Sequence, residues 1–220
     1  QVIALIAEIH RSGPAGSLLV VPLTLVENWR RELLKFAPEL KYYRHHGENR
    51  VHLPSSIPVN KVDFVITTYE TMVRDINMLK SIKWNLVVLD EAQAVKNIDT
   101  NRSLAARCLH ARAKIAMTGT PLENRPDDLW AIGNLVNPGF FDTLDGFKEI
   151  VKDNPDWVRR AFRSILLRRE AAEVLPDLPC LISMDVPLTM FPAEKECYNQ
   201  TLDSFRNAGS GNVNLGMLTN

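Results

Sequence analysis

Trp84-Asn85-Leu86-Val87-Val88-Leu89-Asp90-Glu91-Ala92-Gln93 is the stretch whose reading decides the fold. A run of strand-forming residues stops abruptly at two carboxylates. Leu86 to Leu89 carry no apolar–polar alternation, which predicts a strand covered on both faces. Such a strand belongs at the centre of a parallel sheet with helices on either side. Asp90 and Glu91 then fall at its carboxyl end, where open α/β sheets place their ligands. For an isolated Asp-Glu pair a plain acidic turn is the favoured reading, since the dipeptide is common, so the neighbouring stretches carry the decision.

Those neighbours repeat the pattern. Leu18-Leu19-Val20-Val21-Pro22, Phe64-Val65-Ile66-Thr67-Thr68 and Ala113-Lys114-Ile115-Ala116-Met117 each read as a strand, as does a shorter one near Tyr42. Helical patterns lie between most of them. Ile3, Ile6 and Ile9 share part of one helical face. Thr24 is placed to cap the next helix, with Glu27 completing a capping box and Leu25, Trp29, Leu33 and Phe36 along it. Further helices are expected over 69–80 and 102–110. Alternating strands and helices predict an α/β fold: a doubly wound, mainly parallel sheet with helices on both faces.

After Pro126 the character changes. Helices are expected over 127–135, 147–151 and 156–175, then a strand over 181–186 and a helix over 192–205. The expected organisation is a sheet-bearing lobe over 1–125, a helical insertion over 126–179, a return strand and helix over 180–206, and a tail over 207–220.

Composition narrows the function classes. Lys and Arg balance Asp and Glu at 26 each, so no bulk basic footprint announces nucleic acid and any basic surface must be local. No apolar stretch of transmembrane length occurs and no signal pattern opens the chain. Cys108, Cys180 and Cys197 are scattered without metal-ligand spacing. His45 and His46 are adjacent on a strand, so they point to opposite faces and chelate one ion poorly; a strand-end turn is the expected role. Arg159, Arg160, Arg163, Arg168 and Arg169 form the main basic cluster. Ile165, Leu166 and Leu167 interrupt it, and Glu170 and Glu173 offer partners, so a solvated or interdomain helix face is as good a reading as nucleic acid.

Four stretches are expected on one rim of the sheet: Pro22-Leu23-Thr24, Thr67-Thr68-Tyr69, Asp90-Glu91-Ala92-Gln93 and Thr118-Gly119-Thr120-Pro121. In this order they resemble the first RecA-like lobe of superfamily-two helicases and translocases. Asp90-Glu91-Ala92-Gln93-Ala94-Val95-Lys96-Asn97 and Met117-Thr118-Gly119-Thr120-Pro121-Leu122-Glu123-Asn124, with Leu129-Trp130 beyond, narrow the resemblance to the Swi/Snf-type remodelling ATPases. Leu167-Arg168-Arg169 and Leu175-Pro176-Asp177-Leu178-Pro179 resemble the segment that closes that family's first lobe.

The resemblance implies roles residue by residue. Asp90 would position Mg²⁺ through its water shell, and Glu91 would be the base orienting the attacking water on ATP. Gln93, where many members have His, would report the nucleotide state. Thr118 and Thr120 would couple phosphate chemistry to movement. Pro22, Leu23, Thr24, Thr67, Thr68, Tyr69, Lys96 and Asn97 would contact the backbone of double-stranded DNA, where hydroxyls and amides position without reading sequence. No G-x-x-x-x-G-K-[ST] phosphate loop occurs in the chain, and no second lobe with its arginine finger follows. The expectation is therefore a first lobe whose phosphate loop lies upstream of Gln1, unable to turn over ATP alone. No membrane role is implied. The resemblance points to a bacterial cytoplasm, or to the nucleus for a eukaryotic member. The alternatives are an RNA-helicase or restriction-enzyme motor lobe, and a catalytically silent scaffold that kept the fold.

Overall fold

The computed structural model describes residues 1–11, 16–48, 50–59, 61–119, 126–141, 143–169, 184, 186–187 and 189–207. The chain divides into two compact units, 1–166 and 167–220.

The first unit carries five strands: β1 (Ser17–Val21), β2 (Tyr42–His45), β3 (Phe64–Thr68), β4 (Trp84–Leu89) and β5 (Ala111–Ala116). They form one sheet in the order β2-β3-β1-β4-β5, with every pairing parallel. Around it lie α1 (Val2–Arg11), α2 (Val26–Phe36), α3 (Tyr69–Arg74), α4 (Ile76–Leu79) and α5 (Asn101–Cys108). This is the doubly wound α/β architecture expected from the alternating apolar runs.

Period-two geometry splits the core into two layers. Leu18, Val20, Val65, Val87 and Leu89 point to one face, where they meet Tyr69, Met72, Ala105 and Ala106. Leu19, Val21, Phe64, Ile66, Leu86 and Val88 point to the other, against Ile6, Leu33 and the half-buried Trp29. Burying each such Val or Leu stabilises by about 1.5–3 kcal/mol, which is why both faces of β1 and β4 must be apolar. β5 is the sheet edge and only half-covered.

Three local expectations need correction. Thr24 does not cap a helix: it sits inside a 3₁₀ turn over Leu23–Leu25, and α2 starts at Val26 with no side-chain cap. Glu27 is taken by Arg30 at 2.8 Å instead of reaching back to complete a box. The helix expected over 69–80 breaks at Asp75, which ends α3 and opens α4, because its carboxylate is held by His45 and Arg50.

The helix expected over 156–175 stops at Arg163 in α8 (Pro155–Arg163), where Ser164 turns its hydroxyl back onto the Ala161 carbonyl. Beyond it Ile165, Leu166 and Leu167 are three exposed apolar residues in succession, with no single face for a helix to bury.

α6 (Pro126–Val136), α7 (Leu144–Asp153) and α8 make a small aromatic-cored module. Phe141 stacks on Phe162 at 4.8 Å and meets Phe147 edge-on at the same distance. Gly133 admits this packing, since a Cβ there would stand 3.1 Å from Phe141 and 3.2 Å from Phe162. α6 also turns Ile132 and Leu135 into the first core layer. In the second unit, α9 (Pro192–Asn207) starts with the Glu194 carboxylate accepting from the Phe191 N–H. Most of the return strand expected over 181–186, and the tail over 208–220, lie outside the described residues.

Candidate nucleotide and nucleic-acid site

Because every strand runs the same way, all the carboxyl ends share one rim. Register places them level: Val21 opposite Thr68, Val20 opposite Leu89, and Leu89 opposite Ala116. The four motif stretches are therefore neighbours, and Asp90 and Thr118 leave adjacent strands at the same height.

At the tip of β4 the chain turns sharply. Glu91 has φ 50° and ψ 53°, the one non-glycine residue with positive φ among those described. An L-residue held there costs on the order of 1–2 kcal/mol. The strain is offset by a tight set of bonds. The Asp90 N–H donates to Val20 O, the Glu91 N–H to Asp90 Oδ1 at 2.9 Å, and the Ala92 N–H to Met117 O at 2.8 Å. The tips of β1, β4 and β5 are thereby laced together.

Side chains extend the lacing. Gln93 Nε2 donates to Glu91 Oε2 at 2.7 Å, and Thr118 Oγ1 donates to Gln93 Oε1 at 2.9 Å. One amide thus bridges the acidic motif on β4 and the hydroxyl motif after β5. Glu91 and Gln93 are half-buried and Thr118 is exposed, so the chain of bonds stands at the surface where a substrate can reach it. Thr120 lies outside the described residues.

Asp90 is held from three directions. The Trp29 indole N–H donates to Oδ2 at 2.7 Å, the Glu91 N–H fills Oδ1, and the Tyr69 hydroxyl donates to the Asp90 carbonyl at 2.7 Å. Burial, then the charges of Asp90 and Glu91, push the Tyr69 phenol well above its usual range, so it stays a donor. A carboxylate offers about four lone-pair sites, so each Asp90 oxygen keeps capacity for a further donor. Trp29 was not singled out by its sequence; only its place one helical turn beyond an expected contact stretch marks it.

The donor chemistry suits a hard cation brought by its own ligand. No group of three or more His, Cys, Asp or Glu residues able to hold a metal exists among the described residues. Mg²⁺ needs no such cage: it keeps several waters and binds through one or two carboxylates plus substrate phosphates. Asp90 fits that demand.

The stretches expected to touch DNA divide in two. Leu23, Thr24, Lys96 and Asn97 are exposed and Pro22 half-buried. Lys96 also reaches Asp128 of α6 at 3.2 Å. By contrast Thr67, Thr68 and Tyr69 are fully covered. Thr67 Oγ1 donates to His45 O, and Thr68 Oγ1 donates to Thr71 Oγ1 while capping α3. Their hydroxyls are spent inside the protein, so in this structure they frame the rim and present nothing to a ligand.

Behind them lies a buried ionic knot. His45 Nε2 meets Asp75 Oδ2 at 2.9 Å, and Arg50 Nε meets the same oxygen at 2.6 Å. His46 Nδ1 reaches Thr71 Oγ1 at 3.1 Å. Burial lowers the His45 pKa, with the Asp75 bond opposing it. Burial alone would raise Asp75, but bonds from Arg50 and His45 outweigh it and hold the carboxyl below its usual range.

Of the basic cluster, Arg159 pairs with Asp156 at 3.1 Å, while Glu170 and Glu173 lie outside the described residues.

Comparison with known proteins agrees with this geometry. The family model described as "SNF2-related domain" matches residues 1–216. YwqA of Bacillus subtilis, named as a candidate ATP-dependent helicase/translocase, is 35% identical over 193 residues, covering 81% of this chain and 21% of that protein. The ISWI chromatin-remodeling complex ATPase ISW2 of Saccharomyces cerevisiae is 31% identical over 208 residues, covering 89% and 19% respectively. The chain therefore spans about a fifth of the length of these curated relatives. Among solved structures, the Sulfolobus solfataricus SWI2/SNF2 ATPase core in complex with dsDNA superposes with a TM-score of 0.71 at 32% identity, covering 97% of this chain and 47% of that one.

Proposed function

The chain belongs to the SNF2-related domain family, and from that premise we propose that it is the first lobe of an ATP-driven translocase acting on double-stranded DNA. The observation that carries the proposal is the unbroken run of bonds from Glu91 through Gln93 to Thr118, level with the exposed Leu23-Thr24 turn.

In this reading ATP enters over the rim with its Mg²⁺. Asp90 would hold the metal through its water shell, and the chemistry that metal would supply is neutralisation of charge on the phosphates. Glu91 orients the attacking water and accepts its proton. Gln93 senses whether Glu91 is engaged and passes that state to Thr118, with Thr120 alongside. Leu23, Thr24, Lys96 and Asn97 meet the phosphodiester backbone, while Thr67, Thr68 and Tyr69 keep the rim in shape. Residues 1–125 form the lobe proper, 126–179 the helical insertion, 180–206 the closing strand and helix, and 207–220 the tail. No G-x-x-x-x-G-K-[ST] occurs in these residues, so turnover in this reading needs a phosphate loop and an opposing lobe in addition to them. Among the described residues β5 has one neighbouring strand, β4, so a further parallel strand could add at its other side.

The experiment is Glu91→Gln in the full-length protein that contains this sequence. Duplex-stimulated hydrolysis should vanish while nucleotide binding is retained; near-normal turnover would remove Glu91 from the role of base. Stimulation by RNA and not by duplex DNA would transfer the lobe to the RNA-helicase class.

A further inference from the structure

Asp90 sits at the centre of the expected chemistry, yet one bond that fixes it comes from 61 residues away, from the Trp29 indole at 2.7 Å. α2 is not otherwise part of the nucleotide site. Its indole packs by its apolar face into the second core layer and spends its single N–H on the carboxylate. Tryptophan has a single N–H to give, and the half-buried Trp29 gives it to Asp90.

The same helix begins one residue after the 3₁₀ turn that exposes Leu23 and Thr24. From Thr24 to Trp29 is five residues, roughly 7–8 Å of helical rise. α2 is a single helix of 11 residues, and at its start it follows the 3₁₀ turn with no intervening loop, so a push on the turn reaches Trp29 through continuous helical backbone. Trp29 lies in the first turn of α2, next to that 3₁₀ turn; across its bond, Asp90 Oδ1 and the Asp90 carbonyl are pinned by Glu91 and Tyr69, so Oδ2 is the corner of the carboxylate that α2 can move.

We propose that Trp29 is a positioning residue: through it, contact of the Leu23-Thr24 turn with the duplex sets the orientation of the Asp90 carboxylate. This rests on the reading of the rim as a duplex-driven ATPase site. It adds a direct mechanical link from the nucleic-acid face to the metal-positioning group that does not pass through Gln93 and Thr118. A ligand at the turn thereby completes the donor geometry at Asp90.

The test uses the full-length protein labelled with 5-fluorotryptophan, with the Trp29 ¹⁹F signal assigned as the one lost in Trp29→Phe, or in Trp29→Tyr if the first variant does not fold. The Trp29 signal should move in Asp90→Asn, and should move in the unsubstituted protein when duplex DNA is added without nucleotide. Trp29→Phe should lower duplex-stimulated kcat roughly 10- to 100-fold, the usual range for loss of a residue that orients a metal-binding group. Raised Mg²⁺ should restore part of that loss, and duplex affinity should be kept. A Trp29 signal indifferent to duplex, or a Trp29→Phe protein with unchanged kcat and Mg²⁺ dependence, would overturn the link. If the unsubstituted protein shows no duplex-stimulated hydrolysis, the motor reading falls and this link with it. If stimulation is present and the signal is silent, only the link falls.

Discussion

Two neighbouring parts of one rim are built from the same kinds of residue and have opposite fates. At the tips of β4 and β5, Asp90, Glu91, Gln93 and Thr118 are half-buried or exposed and bonded in a line that ends at solvent. At the tips of β2 and β3, His45, Thr67, Thr68 and Asp75 are buried or nearly so and bonded in a closed knot. The first arrangement keeps spare acceptor capacity for a substrate. The second has spent its hydroxyls and its carboxylate on itself, leaving only the buried His45 Nδ1 without a partner among the described residues. Polar residues at strand ends thus become site or frame according to whether their bonds close, and residue type alone does not tell which.

Substitutions on the two sides should separate. The largest effect belongs to the open line: Glu91→Gln should lower duplex-stimulated turnover of the full-length protein by about 10²- to 10⁴-fold, measured by steady-state ATPase assay, with thermal stability unchanged. In the closed knot the order reverses. Asp75→Ala strips His45 of its bond and should cost about 1–3 kcal/mol in urea unfolding, with turnover affected only through the folded fraction.

Acid should attack the knot selectively. His45 has a lowered pKa, so the unfolded chain takes up its proton first, and stability is lost as pH falls below the ordinary histidine value of 6.5. Asp75 has a lowered pKa too, so its contribution is present above 3.8 and is lost below it, toward its folded value. Both slopes run the same way. Stability should therefore fall in two steps on acidification, and Asp75→Ala should flatten the lower one. The smallest expected effect is Lys96→Ala. Its exposed pair with Asp128 is worth about 0.2–1 kcal/mol, while the salt dependence of duplex binding should lose about one unit of slope.

Much of the fold is legible in the chain. Apolar runs at Leu18, Phe64 and Leu86 become strands because runs rich in Val, Ile and Leu can be buried on both faces of a parallel sheet; the run at Ala113, which includes Lys114, becomes the half-covered edge strand. Once the strands are parallel, a shared rim follows for the four motif stretches. What could not be read was burial at that rim. Thr67-Thr68-Tyr69 and Thr118-Gly119-Thr120 look alike as text, but the first leads straight into α3 and is buried, while Thr118 and Gly119 are exposed. Trp29 was read as an apolar position of α2, because no local pattern shows that an indole will meet a carboxylate 61 residues on. The missing cap at Thr24 has the same origin: the 3₁₀ turn at Leu23–Leu25 is compatible with the same residues as a capping box.

The claim that the β4 and β5 tips act as one device is tested most directly by a double-mutant cycle. Gln93→Ala, Thr118→Ala and the pair would be compared in duplex-stimulated kcat of the full-length protein. If Gln93 joins Glu91 to Thr118, the two changes should be strongly non-additive, with a coupling of about 0.5–3 kcal/mol. Effects that simply add, to within about 0.3–0.5 kcal/mol, would contradict it.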